Sequence, residues 1–152
     1  MTVPKNYHGR EQAFIKHRLL ETYIERLFMI IGQHQKIIRY VDCFAGPWQE
    51  GSDDLQDTSI GIALKIIRKC RESLKKMGKD LMFQALFIEK DEKSFQKLRN
   101  YLTGISQQEV ATDAFHGNSF DLRNKILEWC GDDFTFFFID PKGWKNVVEI
   151  PT

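Results

Sequence analysis

Lys36-Ile-Ile-Arg-Tyr-Val-Asp42, running directly into Cys43-Phe-Ala-Gly-Pro-Trp48, decides how this chain folds. The apolar, β-branched residues Ile37, Ile38 and Val41 read as a buried strand, and the strand ends in a carboxylate, Asp42. A small turn at Ala45 and Gly46 follows at once. Strand, acid and tight turn are how an open α/β sheet builds a nucleotide or nucleoside site at the carboxyl end of its first strand. Ala45 and Gly46 let the backbone approach a ligand where a larger side chain would block it. The turn is poor in glycine for a dinucleotide fingerprint: Pro47 and Trp48 follow Gly46, and Gly51 comes too late. An ordinary buried strand closed by a turn is the other reading of the same residues.

Upstream, Leu20, Tyr23, Ile24, Leu27, Phe28 and Ile31 recur at helical spacing. They predict an amphipathic helix from about Gln12 to Ile31, stopped by Gly32, whose stripe covers one face of the sheet. Residues 1–36 are therefore expected to form an N-terminal helical segment. Downstream, residues 49–58 form a polar loop, and Ser59 can cap a helix with Ile60, Ala63, Leu64, Ile67, Cys70 and Leu74 on one face. Phe83 to Glu89 predicts a second buried strand, and Asp91 can cap a helix carrying Phe95, Leu98 and Leu102. A weaker third strand lies near Ala111 to His116, and Gly117-Asn118-Ser119 turns into a helix with Leu122, Ile126 and Trp129. Phe134 to Asp140 is continuously apolar up to its final acid, as a strand buried on both faces should be. Strands alternating with helices call for a parallel sheet.

The 152 residues suit one domain, and 42% hydrophobic with 28% charged residues is ordinary globular composition. A formal charge of +1 excludes a global field that would draw the chain to nucleic acid. Charge is uneven, however. Between Lys65 and Asp80, seven basic residues (Lys65, Arg68, Lys69, Arg71, Lys75, Lys76, Lys79) face only Glu72 and Asp80. That run is either a solvated helix face or a groove for a polyanion. Cys43, Cys70 and Cys130 are odd in number and widely spaced, which argues against a disulfide framework or zinc knuckle and fits a reducing cytoplasm. No metal site is expected. No stretch approaches the ~20 apolar residues of a membrane span, so no membrane partner is expected.

Each expected strand end carries a useful polar residue: Asp42, Glu89, Asn118 and Asp140. In a parallel sheet these ends share one edge, so distant positions converge on one crevice. A carboxylate at Glu89 can accept hydrogen bonds from both hydroxyls of a ribose, and Asn118 offers donor and acceptor to an adenine edge. Asp140-Pro141 can hold the protons of an amino nucleophile, and Trp144 can stack on a flat base. Helix caps and a strand-ending turn are the alternative roles for these residues.

Tyr-Val-Asp-Cys-Phe-Ala-Gly, Phe-Ile-Glu-Lys-Asp, His-Gly-Asn-Ser and Phe-Ile-Asp-Pro-Lys-Gly-Trp occur here in that order. Together they resemble class I S-adenosylmethionine-dependent methyltransferases, and are particularly similar to the bacterial three-Cys-motif partner protein family. The likeness runs from about Lys16 to Trp144, including the Lys16-His17…Leu20…Tyr23 helix. It implies a Rossmann-like α/β fold with strand order 3-2-1-4, residues 37–152 forming the N-terminal part of the domain and the chain stopping after strand four. It further implies that Asp42, Ala45 and Gly46 surround the methionine part of S-adenosylmethionine, that Glu89 binds its ribose, and that Asn118 lies beside its adenine. Asp140 and Pro141 would be catalytic, occupying the place of the D-P-P-aromatic motif of amino-methylating enzymes, with Trp48 and Trp144 on the acceptor. Pro47-Trp48 replaces the second glycine of the usual turn, and Lys142-Gly143 stands where the second proline and the aromatic would be.

The expected function is thus that of a methyltransferase-like protein acting on a nucleic-acid base. Its rivals are a non-catalytic, cofactor-binding module working with a three-cysteine-motif protein, and a nicotinamide-dependent oxidoreductase disfavoured by the missing glycines. A fourth strand left at the sheet edge, with no charge before Asp140, is expected to pair with another copy of the chain as a dimer or aggregate, or to be covered by the N-terminal helix.

Overall fold

The computed structural model describes residues 15, 17–43, 59–105 and 108–139. A π-helical turn (Leu20–Ile24) runs into helix α1 (Glu25–Ile31), followed by strand β1 (Ile37–Asp42), helix α2 (Ser59–Lys76) and strand β2 (Met82–Glu89). Helix α3 (Glu92–Thr103), strand β3 (Ala111–His116), helix α4 (Arg123–Cys130) and strand β4 (Phe134–Phe138) complete the order. The strands form one parallel sheet, β3-β2-β1-β4. This is a Rossmann-like α/β arrangement, and the strand order reverses between β1 and β4.

Helices cover the two faces unequally. Ile24 and Phe28, the inner face of α2 and the α3 residues Phe95, Leu98 and Leu102 join Ile38, Tyr40, Phe83 and Phe87 in the main core. An aromatic cluster fastens α1 to the sheet: the Phe28 ring lies 5.7 Å from Phe83 and meets Tyr40 and Phe136 edge-on. Tyr40 stacks on Phe136 at 6.1 Å. On the opposite face α4 supplies Ile126 and Cys130 to a smaller cluster with Val41, Cys43, Leu86 and Ile88. There Arg39 is held by Asp133 at 2.9 Å and by the Trp129 carbonyl at 2.6 Å, with its guanidinium over the Trp129 ring. The buried cysteines Cys43, Cys70 and Cys130 form no disulfide.

Two expectations need correction. Tyr23, placed on the buried stripe of the first helix, is 54% exposed, whereas Ile24 and Phe28 are buried. The π turn is wider than an α turn, so it rotates the stripe and carries Tyr23 outward. Phe134 to Asp140 was expected to be buried on both faces. Instead β4 ends at Phe138, and Phe137 and Ile139 are exposed. Among the described residues β4 pairs with β1 alone, and β1 and β2 are the strands with neighbours on both sides and core clusters on both faces. No described helix is long and apolar enough to cross a membrane.

Candidate functional site

Parallel pairing brings the carboxyl ends of β1, β2 and β3 to one edge, beside the β1/β4 reversal where open α/β sheets place their crevice. Asp42 pairs with Phe87 of β2 on one side and Phe138 of β4 on the other. Glu89, two residues beyond Phe87, therefore points to the same sheet face as Asp42, and it pairs with His116 of β3. Asp42 is fully buried and Glu89 is 5% exposed.

Glu89 is half-satisfied. Its Oε1 accepts a hydrogen bond from the Asp91 backbone N–H at 3.0 Å, while its Oε2 is buried without a partner among the described residues. Burial pushes the Glu89 carboxyl above its ordinary value. The backbone N–H groups of Asp91 and, more weakly, Lys90 work in the opposite direction, and the charges of Asp91 and Asp42 add to the rise. Asp91 has another duty: its Oδ2 accepts from the Ser94 N–H at 2.9 Å and caps α3, which holds its own carboxyl low. The sequence reading of Asp91 as a helix cap and of Glu89 as the acid that ends the second strand is borne out.

The β3 end is stitched to this centre by three polar contacts and one ring stack. The Gly117 N–H donates to the Glu89 carbonyl at 2.9 Å. His116 Nε2 lies 3.2 Å from the Lys90 carbonyl, and the imidazole stacks on Phe95 at 5.0 Å. Ser119, buried, donates from its hydroxyl to the carbonyl of Cys43, just past Asp42. Gly117 has φ +148°, and a Cβ there would sit 2.9 Å from Leu122 Cδ1, so this turn needs glycine. Asn118 Oδ1 accepts from the Phe120 N–H at 2.8 Å, and the Asn118 carbonyl accepts from Leu122. Asn118 thus shapes the entry to α4, with its side-chain amide hydrogens still available among the described residues.

Asp42, Glu89 and Asn118 are therefore brought together. Ala45, Gly46, Trp48, Asp140, Pro141 and Trp144 lie outside the described residues. Ser119 and Gly117 are site-building residues that sequence reasoning passed over. Gly117-Asn118-Ser119 reads locally as a turn, and the Ser119 partner lies 76 positions away. Tyr40 was missed too: its hydroxyl is buried without a partner among the described residues, two residues before Asp42. Burial, then the charges of Asp42 and Cys43, hold its phenol well above the usual value. Among the described residues no group of three or more His, Cys, Asp or Glu is placed to hold a metal ion. No protein-family model matches the chain, and no curated protein matches its sequence.

Proposed function

We propose that the crevice at the carboxyl edge binds S-adenosylmethionine and that the chain is methyltransferase-like, with a nucleic-acid base as acceptor. The observation that carries this reading is the unpartnered oxygen Glu89 Oε2, buried at the end of β2 beside the β1/β4 reversal. A buried acceptor with no donor costs stability unless a ligand supplies one, and a ribose hydroxyl is a donor of suitable kind. The Asn118 amide offers hydrogens to an adenine ring nitrogen, and Asp42 carries negative charge toward a cationic sulfonium and ammonium. Ala45 and Gly46 would leave room for the methionine part.

When bound, the sulfonium supplies a methyl group for in-line displacement by a nucleophile. The protein's share is positioning. Asp140 and Pro141 would hold the acceptor's protons and turn its lone pair toward the methyl, and Trp48 or Trp144 would stack on the base. The half-satisfied state of Glu89 favours a polar ligand over an empty structural role for the same acid.

Calorimetric titration with S-adenosylhomocysteine, against NAD as comparator, tests the reading. The native chain is expected to bind the former and ignore the latter. Glu89→Ala removes a charged hydrogen-bond acceptor worth ~1.5–3 kcal/mol, a loss of roughly 10- to 100-fold in affinity. Unchanged affinity in a folded Glu89→Ala protein would remove Glu89 from the site, and preferential NAD binding would overturn the choice of cofactor.

A further inference from the structure

The solvent face of α2 is unlike the rest of the surface. Its apolar residues, including Ile60, Ile67 and Leu74, are fully used in the core. Outward, Lys65, Lys69, Glu72 and Lys76 recur at intervals of four and three, which sets them in one stripe along the helix, with Lys75 beside it. All five are exposed. The stripe from Lys65 to Lys76 is about 16 Å long at 1.5 Å per residue, and Lys79 continues it past the helix end.

Two of the cations on α2 are engaged. Lys69 Nζ lies 2.9 Å from Glu25 Oε1. Arg68 Nε lies 3.1 Å from Glu109 Oε2, a charge contact without hydrogen-bond alignment. Lys65, Arg71, Lys75, Lys76 and Lys79 have no ion pair among the described residues. The chain as a whole is nearly neutral, with 22 basic and 21 acidic side chains. Among the described residues, Glu72 and Asp80 within the run and Glu25 and Glu109 paired across to it are outnumbered by its seven cations, so this face keeps a net positive charge.

We propose that the solvent face of α2, from Lys65 to Lys76 and on to Lys79, is a track for the phosphodiester backbone of a nucleic acid. Phosphates of a B-form strand follow one another at about 3.4 Å along the axis, so the track can face four or five of them. A membrane surface fits less well, because a helix that lies on lipid needs an exposed apolar face, and the apolar face of α2 is buried. The track starts near the carboxyl edge and leads away from it, since α2 returns the chain to the start of β2. A nucleic acid held there would extend from the crevice down one side of the domain. The track does not depend on what the crevice holds.

Fluorescence anisotropy with labelled single-stranded and duplex oligonucleotides, without any cofactor, tests this separately from the crevice. Binding is expected to weaken with salt at a log–log slope of about −3 for a single strand and about −4 for a duplex, since four or five neutralised phosphates contribute about −0.7 and −0.9 each. Charge reversal at exposed positions, Lys65→Glu with Lys76→Glu, is expected to lower affinity at least tenfold (order of magnitude from the same slope argument) and to flatten the slope. The same reversal on α3, Lys93→Glu with Lys97→Glu, is expected to leave affinity within a few-fold. Equal losses in both pairs, or no loss in the α2 pair, would overturn the assignment. So would binding to phosphatidylserine vesicles by a protein that leaves oligonucleotides free.

Discussion

At the scale of single residues, the carboxyl half of the sheet holds two polar atoms buried without partners among the described residues, and each makes a testable demand. Glu89 is the first. Its folded-state pKa is raised above the ordinary glutamate value, chiefly by burial, so the folded chain binds this proton more tightly than the unfolded chain does. Ionisation therefore costs stability above the ordinary glutamate range, and the cost fades as pH falls through the raised value and below 4.5. Glu89→Gln keeps the acceptor for the Asp91 N–H and removes the charge. Its stability relative to the native protein, from urea melts, should be highest near neutral pH and decline toward pH ~4, the region of the free carboxyl. A difference that is flat with pH would mean that Glu89 is not desolvated. Tyr40 is the second. A buried unpaired hydroxyl costs about 1–3 kcal/mol, so Tyr40→Phe is expected to gain about 1 kcal/mol. A loss of similar size in thermal melts would show that the hydroxyl meets a bound group.

Among the elements, the β3–α4 turn carries the most weight for its length. Gly117 adopts φ +148° against Leu122, and its N–H fixes the end of β2 through the Glu89 carbonyl. Gly131 also has positive φ, +57°, but a Cβ there would meet nothing within 4 Å. Alanine at either position is expected to cost more than ~1 kcal/mol of stability. Only Gly117→Ala should also weaken S-adenosylhomocysteine binding beyond what the lost stability explains, since it displaces Asn118 and Ser119. Equal affinities for the two variants in calorimetry would detach the turn from the site. The contrast also shows what was legible in the sequence. Local chemistry announced itself: the strand over Ile37–Asp42, the Asp91 cap and the strand over Ala111–His116 all emerge from short-range pattern. Glu89 was legible as an acid at a strand end. Its half-satisfied state was not, because that depends on which donors the fold delivers. Ser119 reaching Cys43 and Arg39 reaching Asp133 are bonds between distant positions with no local signature. Tyr23 misled because helical periodicity assumes α geometry, and the π turn breaks it.

For the molecule as a whole, the two outer strands of the described sheet differ in how they meet solvent. The β3 strand exposes Asp113 and His116, and a charge of this kind discourages strand addition. The β4 strand, Phe-Thr-Phe-Phe-Phe, has no charge, and Phe137 and Ile139 stand out from the sheet on the face where α4 leaves Leu127 exposed. Among the described residues β1 is its one strand neighbour. An uncharged apolar strand in that position favours pairing with a further strand, and a second copy of the chain supplies an identical one. We therefore expect the protein to self-associate through β4 as its concentration rises, with slow amide exchange over residues 136–139. Phe137→Lys puts a charge on the strand without entering the main core, because Phe137 lies on the face away from Tyr40 and Phe28. Light scattering should show the variant as a monomer at concentrations where the native chain is larger. If native and variant proteins have the same monomeric mass throughout, pairing through β4 is wrong. Slow exchange in that monomer would then place the cover within the chain itself, and fast exchange would show that the strand is stable with its outer side bare.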